Sequence, residues 1–433
     1  MADAAGRSLA ARSGELTQEA HQPARPWLDR RHLIGTYAVF AVYALVDAIL
    51  SAGRDQVWAI WAACGYTAAL AVLWLWRARA VAVGISVALA VLAPLLWLSV
   101  AYSLEDGMRV IDRAASLLIH HGTPYLSAAQ VTSWLSYNPY LPVMTLAGLP
   151  SAAGLGGLAG NSGVWLAVGT VIPLAAAFWI AVPHRGCRPC RGDALLATAV
   201  AVASPVIGLN LAVITTDPPV LAFILLALAL ALDRTASAAG SSPAVRTAGS
   251  GIALGVACDL KSTAWLAVPV LAAMFAARDG ARAAVRFLAA AAITAVVLIA
   301  ALAPAAVLRP AAMIQNAVLF PLGLTHDKTP AESLLPGHVL TDMGTAGHVI
   351  SVGLVLAAAL GVAVSLVVRP PRDVPAAAWR LAIGLALIFL LGPDVRFGYF
   401  LYPLGLVGWL ALTKTVPPTR AAPALAQDAV QDA

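Results

Sequence analysis

The residues best placed to do chemistry are Glu105 and Asp106, at the lip of an uncharged apolar span covering residues 80–102. A polar segment of about thirty residues leads from them to Ser136-Tyr137-Asn138-Pro139-Tyr140-Leu141-Pro142. A carboxylate pair at a membrane surface, on a loop that carries Trp, Tyr and Pro, suggests proton transfer at the bilayer boundary. Transport is the competing reading, and it places its charges deeper. The one cation at membrane depth is Lys261, in Asp259-Leu260-Lys261. A central lysine costs roughly 2.5–3.5 kcal/mol on insertion scales, so it needs a partner. Asp259 is the simple partner, and an anionic ligand is the functional one.

The elements that hold these groups are membrane helices. The 433 residues are 61% hydrophobic and 11% charged, with mean hydropathy +0.83. That composition excludes a soluble enzyme. Thirteen apolar segments recur, at 33–51, 57–76, 80–102, 139–158, 163–182, 193–214, 217–233, 248–260, 262–277, 283–308, 349–368, 376–391 and 397–413. Runs of this length read as spans. Residues 1–27 and 414–433 are polar and read as disordered tails. The net charge of +6 is a topological signal and gives no reason to expect a nucleic-acid partner.

Of the 27 basic residues, 20 fall in the tails and in alternate loops. Placing those loops in the cytosol satisfies the positive-inside pattern and puts both termini there. The loops 103–138 and 309–348 then lie outside, with the turns at Asp217 and at Pro393-Asp394. The expected location is the plasma membrane, with the site on the extracytoplasmic side. Two regions strain this count. Residues 139–182 must cross an odd number of times although they look like two segments, so one is expected to be re-entrant or interfacial. Residues 248–277 have basic flanks on both sides, which suits two short helices with Asp259-Leu260-Lys261 at the tip.

The order of motifs resembles a known class. Asp106, then Ala114-Ala115-Ser116-Leu117-Leu118, then Gly122-Thr123-Pro124-Tyr125, then Tyr137-Asn138-Pro139-Tyr140-Leu141-Pro142 is similar to the first outer loop of the GT-C membrane glycosyltransferases. Within that class it most resembles the polyprenol-phosphomannose-dependent mannosyltransferases once called DUF2029. Gly255 to Thr263, Leu335-Pro336-Gly337-His338 and Arg396 to Pro403 resemble later motifs of the same family. The resemblance covers roughly residues 80–413 and implies an all-α polytopic bundle of about 12 transmembrane helices. The chain departs from the family in two extra helices within 28–79, in Tyr-Asn-Pro where Tyr-Pro-Pro is usual, and in Val110 where an aromatic is common.

The resemblance also implies roles. The donor would be a polyprenyl-phosphate sugar, the acceptor a glycolipid or glycan hydroxyl, and the reaction an inverting single displacement. Asp106 aligns with the family's loop aspartate and is the expected general base, with Glu105 and then Asp112 behind it. Lys261 and Arg396 are candidates for the donor phosphate, and His338 for a catalytic role. Tyr125, Tyr137, Tyr140, His326 and His348 are candidate substrate contacts. No metal cluster is visible, and such a donor needs no metal or other cofactor.

Each residue also has a plainer reading. Glu105 and Asp106 suit the start of a helix near Gly107. Arg396 has Asp394 as a surface partner. The loop aromatics suit interface anchors. His120-His121 suits a solvated helix end, and Thr215-Thr216-Asp217-Pro218 suits a helix start. Cys187-Arg188-Pro189-Cys190 lacks a second ligand pair for zinc. The competing functions are a transporter or lipid-linked sugar flippase and a catalytically dead envelope scaffold.

Overall fold

The computed structural model describes residues 26–102, 105–182, 188–232, 242–327 and 333–413. The tails expected at 1–27 and 414–433 lie outside these residues, apart from a short turn at Pro26–Leu28, and Cys187 lies outside them too. The described residues are mostly helical, and their one strand-like pairing is an isolated bridge between Tyr140 and Lys261. This follows from the solvent, because a helix satisfies its backbone groups within its own segment.

The N-terminal part is α1 (Arg30–Leu50), α2 (Gly53–Leu75), α3 (Arg79–Ala101) and the amphipathic α4 (Asp106–His121). After a loop come α5 (Ser162–Ala181), then α6 (Arg188–Ala203) and α7 (Pro205–Ala212), a pair bent by 63°. Next are α8 (Pro218–Leu230), α9 (Pro243–Leu260), α10 (Ala267–Asp279) and α11 (Ala281–Leu302). The chain closes with α12 (Thr345–Val368), α13 (Val374–Leu391) and α14 (Leu401–Thr413). Proline stands in the first turn of α7, α8, α9 and α13, where its missing N–H costs nothing. The preceding Ser204, Ser242 and Asp373 cap α7, α9 and α13 with side-chain oxygens.

Among the described residues, seven helices are long and apolar enough to cross a membrane: α1, α2, α3, α5, α11, α12 and α13. The bent α6–α7 pair makes an eighth if it is one span. The remaining apolar segments form shorter helices, so the expected twelve crossings are not all matched by full-length ones. The segment 139–158 does not form a span. It breaks into helices at Pro142–Thr145, Leu149–Ala152 and Gly157–Gly160. Of the two segments within 139–182, only the second becomes a spanning helix. The 248–277 region is a helical hairpin, α9 and α10, with Lys261 at its break.

The two additional N-terminal helices are joined to the rest by buried polar bonds. Pro94 lies inside α3 and has no N–H for the carbonyl of Ala90 four residues back. A π-helical turn at Ala88–Leu92 absorbs the distortion, and Trp58 Nε1 of α2 donates to the Ala90 carbonyl at 2.8 Å. At the α6–α7 bend the Ala203 carbonyl accepts from the Tyr66 hydroxyl at 2.6 Å. Tyr37 of α1 and Ser86 of α3 pair at 2.8 Å. Tyr37, Trp58, Tyr66 and Ser86 are all fully buried. An unpaired carbonyl in such a core costs about 1–3 kcal/mol, so these bonds fix the hairpin's register against α3.

Candidate functional site

The site is built around the hairpin tip. Lys261 leaves the helical path at the end of α9, with extended backbone (φ −157°, ψ 142°). Its strand-like bridge to Tyr140, with the Leu141 amide donating to the Leu260 carbonyl at 3.2 Å, brings the 136–142 loop alongside. The Lys261 ammonium donates to Asp217 Oδ1 at 2.7 Å. The Tyr402 hydroxyl of α14 donates to the same oxygen, also at 2.7 Å. The rings of Tyr399 and Tyr140 lie 4.9 and 5.9 Å from the ammonium. One carboxylate therefore joins the start of α8, the hairpin tip and α14.

The partner expected for Lys261 is thus replaced. Asp259 is fully buried on the inner side of α9, and neither of its carboxyl oxygens has a hydrogen-bond partner among the described residues. Asp217, which also reads as a plain helix start, is the lysine's counter-ion. The turn before Asp217 is strained. Ile214 has φ +66°, a left-handed conformation that β-branched residues rarely adopt. The buried Ile214 side chain occupies the space a Cβ on Gly163 would need, 2.3 Å from its Cγ2. Asn161 caps α5 beside it, accepting from the Gly163 amide at 2.9 Å.

The start of α4 sits on this network. A Cβ on Gly107 would lie 3.2 Å from the Tyr140 hydroxyl and 3.6 Å from the Thr216 methyl. Glu105 is the residue before the first turn of α4 and Asp106 is its first residue. Asp106 is half-exposed and makes a loose contact with Arg109 at 3.9 Å. Glu105 is more enclosed. Burial pushes its carboxyl up to about 7, against the pull of Arg54 and Arg396, while Asp106 and Asp55 add to the rise. Arg54 lies in the first turn of α2, and its guanidinium is 5.8 Å from the Tyr102 ring centre. The extra hairpin therefore delivers a cation to the neighbourhood of Glu105. Asp112 faces Ser162, and burial raises its carboxyl.

The two long loops are bonded to each other. Tyr137 stacks on Phe320 with ring centres 4.3 Å apart and planes 2° from parallel. The Asn138 amide donates to Asn316 Oδ1 at 2.8 Å, and Asn138 Nδ2 donates to the Pro124 carbonyl at 3.2 Å. The buried Tyr125 hydroxyl donates to the Tyr140 carbonyl at 3.0 Å. Arg113 of α4 gathers the carbonyls of Leu135 and Ser136 at 2.6 and 2.9 Å. Burial lowers the guanidinium's proton affinity.

His338 lies in a short helix, Pro336–Asp342, that packs on the turn after α13. Its Nδ1 is 2.7 Å from the Pro393 carbonyl, so it carries the proton and donates. Its Nε2 is 3.7 Å from Asp342. The same turn leads to Arg396 and Tyr399, which places His338 at the rim. No hydrogen bond or ion pair joins His326 or His348 to this group among the described residues. Glu105, Asp106, Lys261, Arg396 and Tyr140 therefore converge at one end of the bundle. Tyr125 and Tyr137 build the loops around them. Sequence reasoning missed Asp217, Tyr399, Tyr402 and Arg54. Among the described residues, no group of His, Cys, Asp and Glu could hold a metal ion.

No known protein family and no curated protein matches this chain. Among solved structures, it is similar to the apo form of an oligosaccharyltransferase from Archaeoglobus fulgidus, at 16% identity and a TM-score of 0.38. The match covers 79% of this chain and 50% of that one, so the chain spans about half the length of that protein. At that level the likeness fixes neither fold nor activity.

Proposed function

We propose that the chain is an integral membrane glycosyltransferase. It moves a hexose, mannose, from a polyprenyl-phosphate carrier to a hydroxyl of a glycolipid or glycan on the outer face of the plasma membrane. The observation that carries this reading is the convergence of a carboxylate pair with Lys261 and Arg396 beneath two interlocked loops. The motif resemblance supplies the donor class.

In this reading the Asp106 carboxylate takes the proton of the acceptor hydroxyl as its oxygen bonds to the anomeric carbon. The bond from that carbon to the phosphate oxygen breaks, and its electron pair leaves with the phosphate. The phosphate passes from a singly charged diester to a doubly charged monoester, and the anomeric configuration inverts. Lys261 and Arg396 offset the added charge in a water-poor setting. His338, oriented by the Pro393 carbonyl, presents Nε2 at the rim. Tyr140 forms the floor, and the reaction as written needs no cofactor.

The test is sugar transfer by purified protein in nanodiscs, with radiolabelled polyprenyl-phosphomannose and an envelope lipid extract. Wild type should transfer, and Asp106→Asn should lose at least about a hundredfold, the usual scale of general-base catalysis. Equal transfer by both proteins would move the base to Glu105 or Asp112. No transfer by well-folded wild type with any polyprenyl-phosphate sugar would leave transport as the better reading.

A further inference from the structure

The Asp217–Lys261 pair raises a question of charge. Lys261 is the cation a departing phosphate needs, yet it is already bonded to a carboxylate. Its side chain keeps 12% of its surface exposed, so it is not sealed in. An ammonium has three N–H donors, and one points at Asp217 while two aromatic rings flank the rest. A phosphate reaching Lys261 must therefore compete with Asp217. The carboxylate is in turn held by the Tyr402 hydroxyl, which draws charge from the oxygen that Lys261 uses.

We infer that Asp217 is a positioning residue that acts as the exchange partner of the phosphate: it holds Lys261 between turnovers, yields it to the donor, and reclaims it to expel the product. This rests on the transferase reading above. The logic lies in the product. Polyprenyl phosphate leaves with one more negative charge than the donor brought, so an unopposed Lys261 would hold the product more tightly than the substrate. A fixed carboxylate on the same ammonium limits that grip. The strained turn at Ile214 and the Tyr402 hydroxyl hold Asp217 in place, so the exchange is made by Lys261, whose long flexible stem can move.

Two variants shift affinity in opposite directions. Asp217→Asn removes the competing charge, so the donor KM and the inhibition constant of polyprenyl phosphate should both fall about tenfold, the scale of one charge-assisted hydrogen bond. The value of kcat should not rise, because release is slower. Tyr402→Phe leaves Asp217 with a stronger hold on Lys261, so both constants should rise about threefold, the scale of a neutral hydrogen bond. A merely structural role would weaken both variants in the same direction.

The readouts are steady-state kinetics and direct binding of farnesyl phosphate to protein in nanodiscs, each on wild type and both variants. Opposite shifts in binding support the exchange. Constants that stay unchanged, or move together, overturn it. If Asp217→Asn does not fold, Tyr402→Phe decides alone: a raised constant supports the exchange, and an unchanged or lowered one overturns it. Absence of transfer by wild type removes the transferase reading, whereas the binding shifts judge the exchange separately.

Discussion

Replacing Glu105 by glutamine should make the protein more stable at pH 8 and change little at pH 5. In the folded protein this carboxyl is raised to about 7, chiefly by burial, from an ordinary value near 4.5. Between those values the folded state binds more protons than the unfolded state, so stability falls as pH rises. The loss is absent below about 4.5, grows through the window, and levels off above about 7. A shift of this size corresponds to about 3 kcal/mol at about 1.4 kcal/mol per pH unit. Partial solvent access at the loop reduces it to about 2 kcal/mol between pH 5 and pH 8. Glutamine keeps the shape and removes the titration. The assay is the unfolding midpoint of detergent-solubilised protein at fixed scan rate, from pH 5 to pH 8. Wild type should lose roughly 2 °C more than the variant across that range. Parallel curves for the two proteins would refute the burial argument and return Glu105 to the solvent.

Further perturbations probe the scaffold. Gly163→Ala places a methyl 2.3 Å from Ile214 Cγ2 and should cost about 1–3 kcal/mol, read as a lower unfolding midpoint, with loss of turnover because Ile214 leads into Asp217. Trp58→Phe should cost about 1–3 kcal/mol by orphaning the Ala90 carbonyl. Pro94→Ala restores a helical N–H to that carbonyl, so the Trp58 change should cost less in its background, as a double-mutant cycle on thermal stability will show. Asn138→Ala and Asn316→Ala should each reduce transfer, and their effects should be coupled by about 0.5–3 kcal/mol because the two residues share one bonded contact.

Much of the site was legible in the sequence because its pieces carry their own local signals. Glu105-Asp106 at the edge of an apolar run and Lys261 within one are anomalies of charge that need no fold to be noticed. What could not be read was partnership. Asp217 precedes Pro218-Pro219, the ordinary pattern of a helix start, and that is also true of it. Its second role depends on Lys261, 44 residues later, and Tyr402, 185 residues later. Asp259 was the nearer choice in sequence, but it is buried within α9, whereas Lys261 lies past the end of that helix on extended backbone that carries its side chain elsewhere. The segment 139–158 is as apolar as a span, yet Pro142, Pro150 and the run Gly154 to Gly157 break it into turns. Hydropathy reports what a segment tolerates around it, while proline and glycine decide its path.

The bond between Tyr66 and Ala203 joins residues 137 apart in the chain. The chain is made in order, so the hairpin carrying Tyr66 enters the bilayer before its acceptor has been synthesised. During that interval a phenol hydroxyl within apolar surroundings lacks its final partner, while Trp58 finds Ala90 after only 32 residues. The early helices can thus seat on α3 first and close on the α6–α7 bend later. Nascent chains halted before residue 203 should therefore leave Tyr66→Phe without effect on protease resistance, and chains halted well beyond it should reveal the cost.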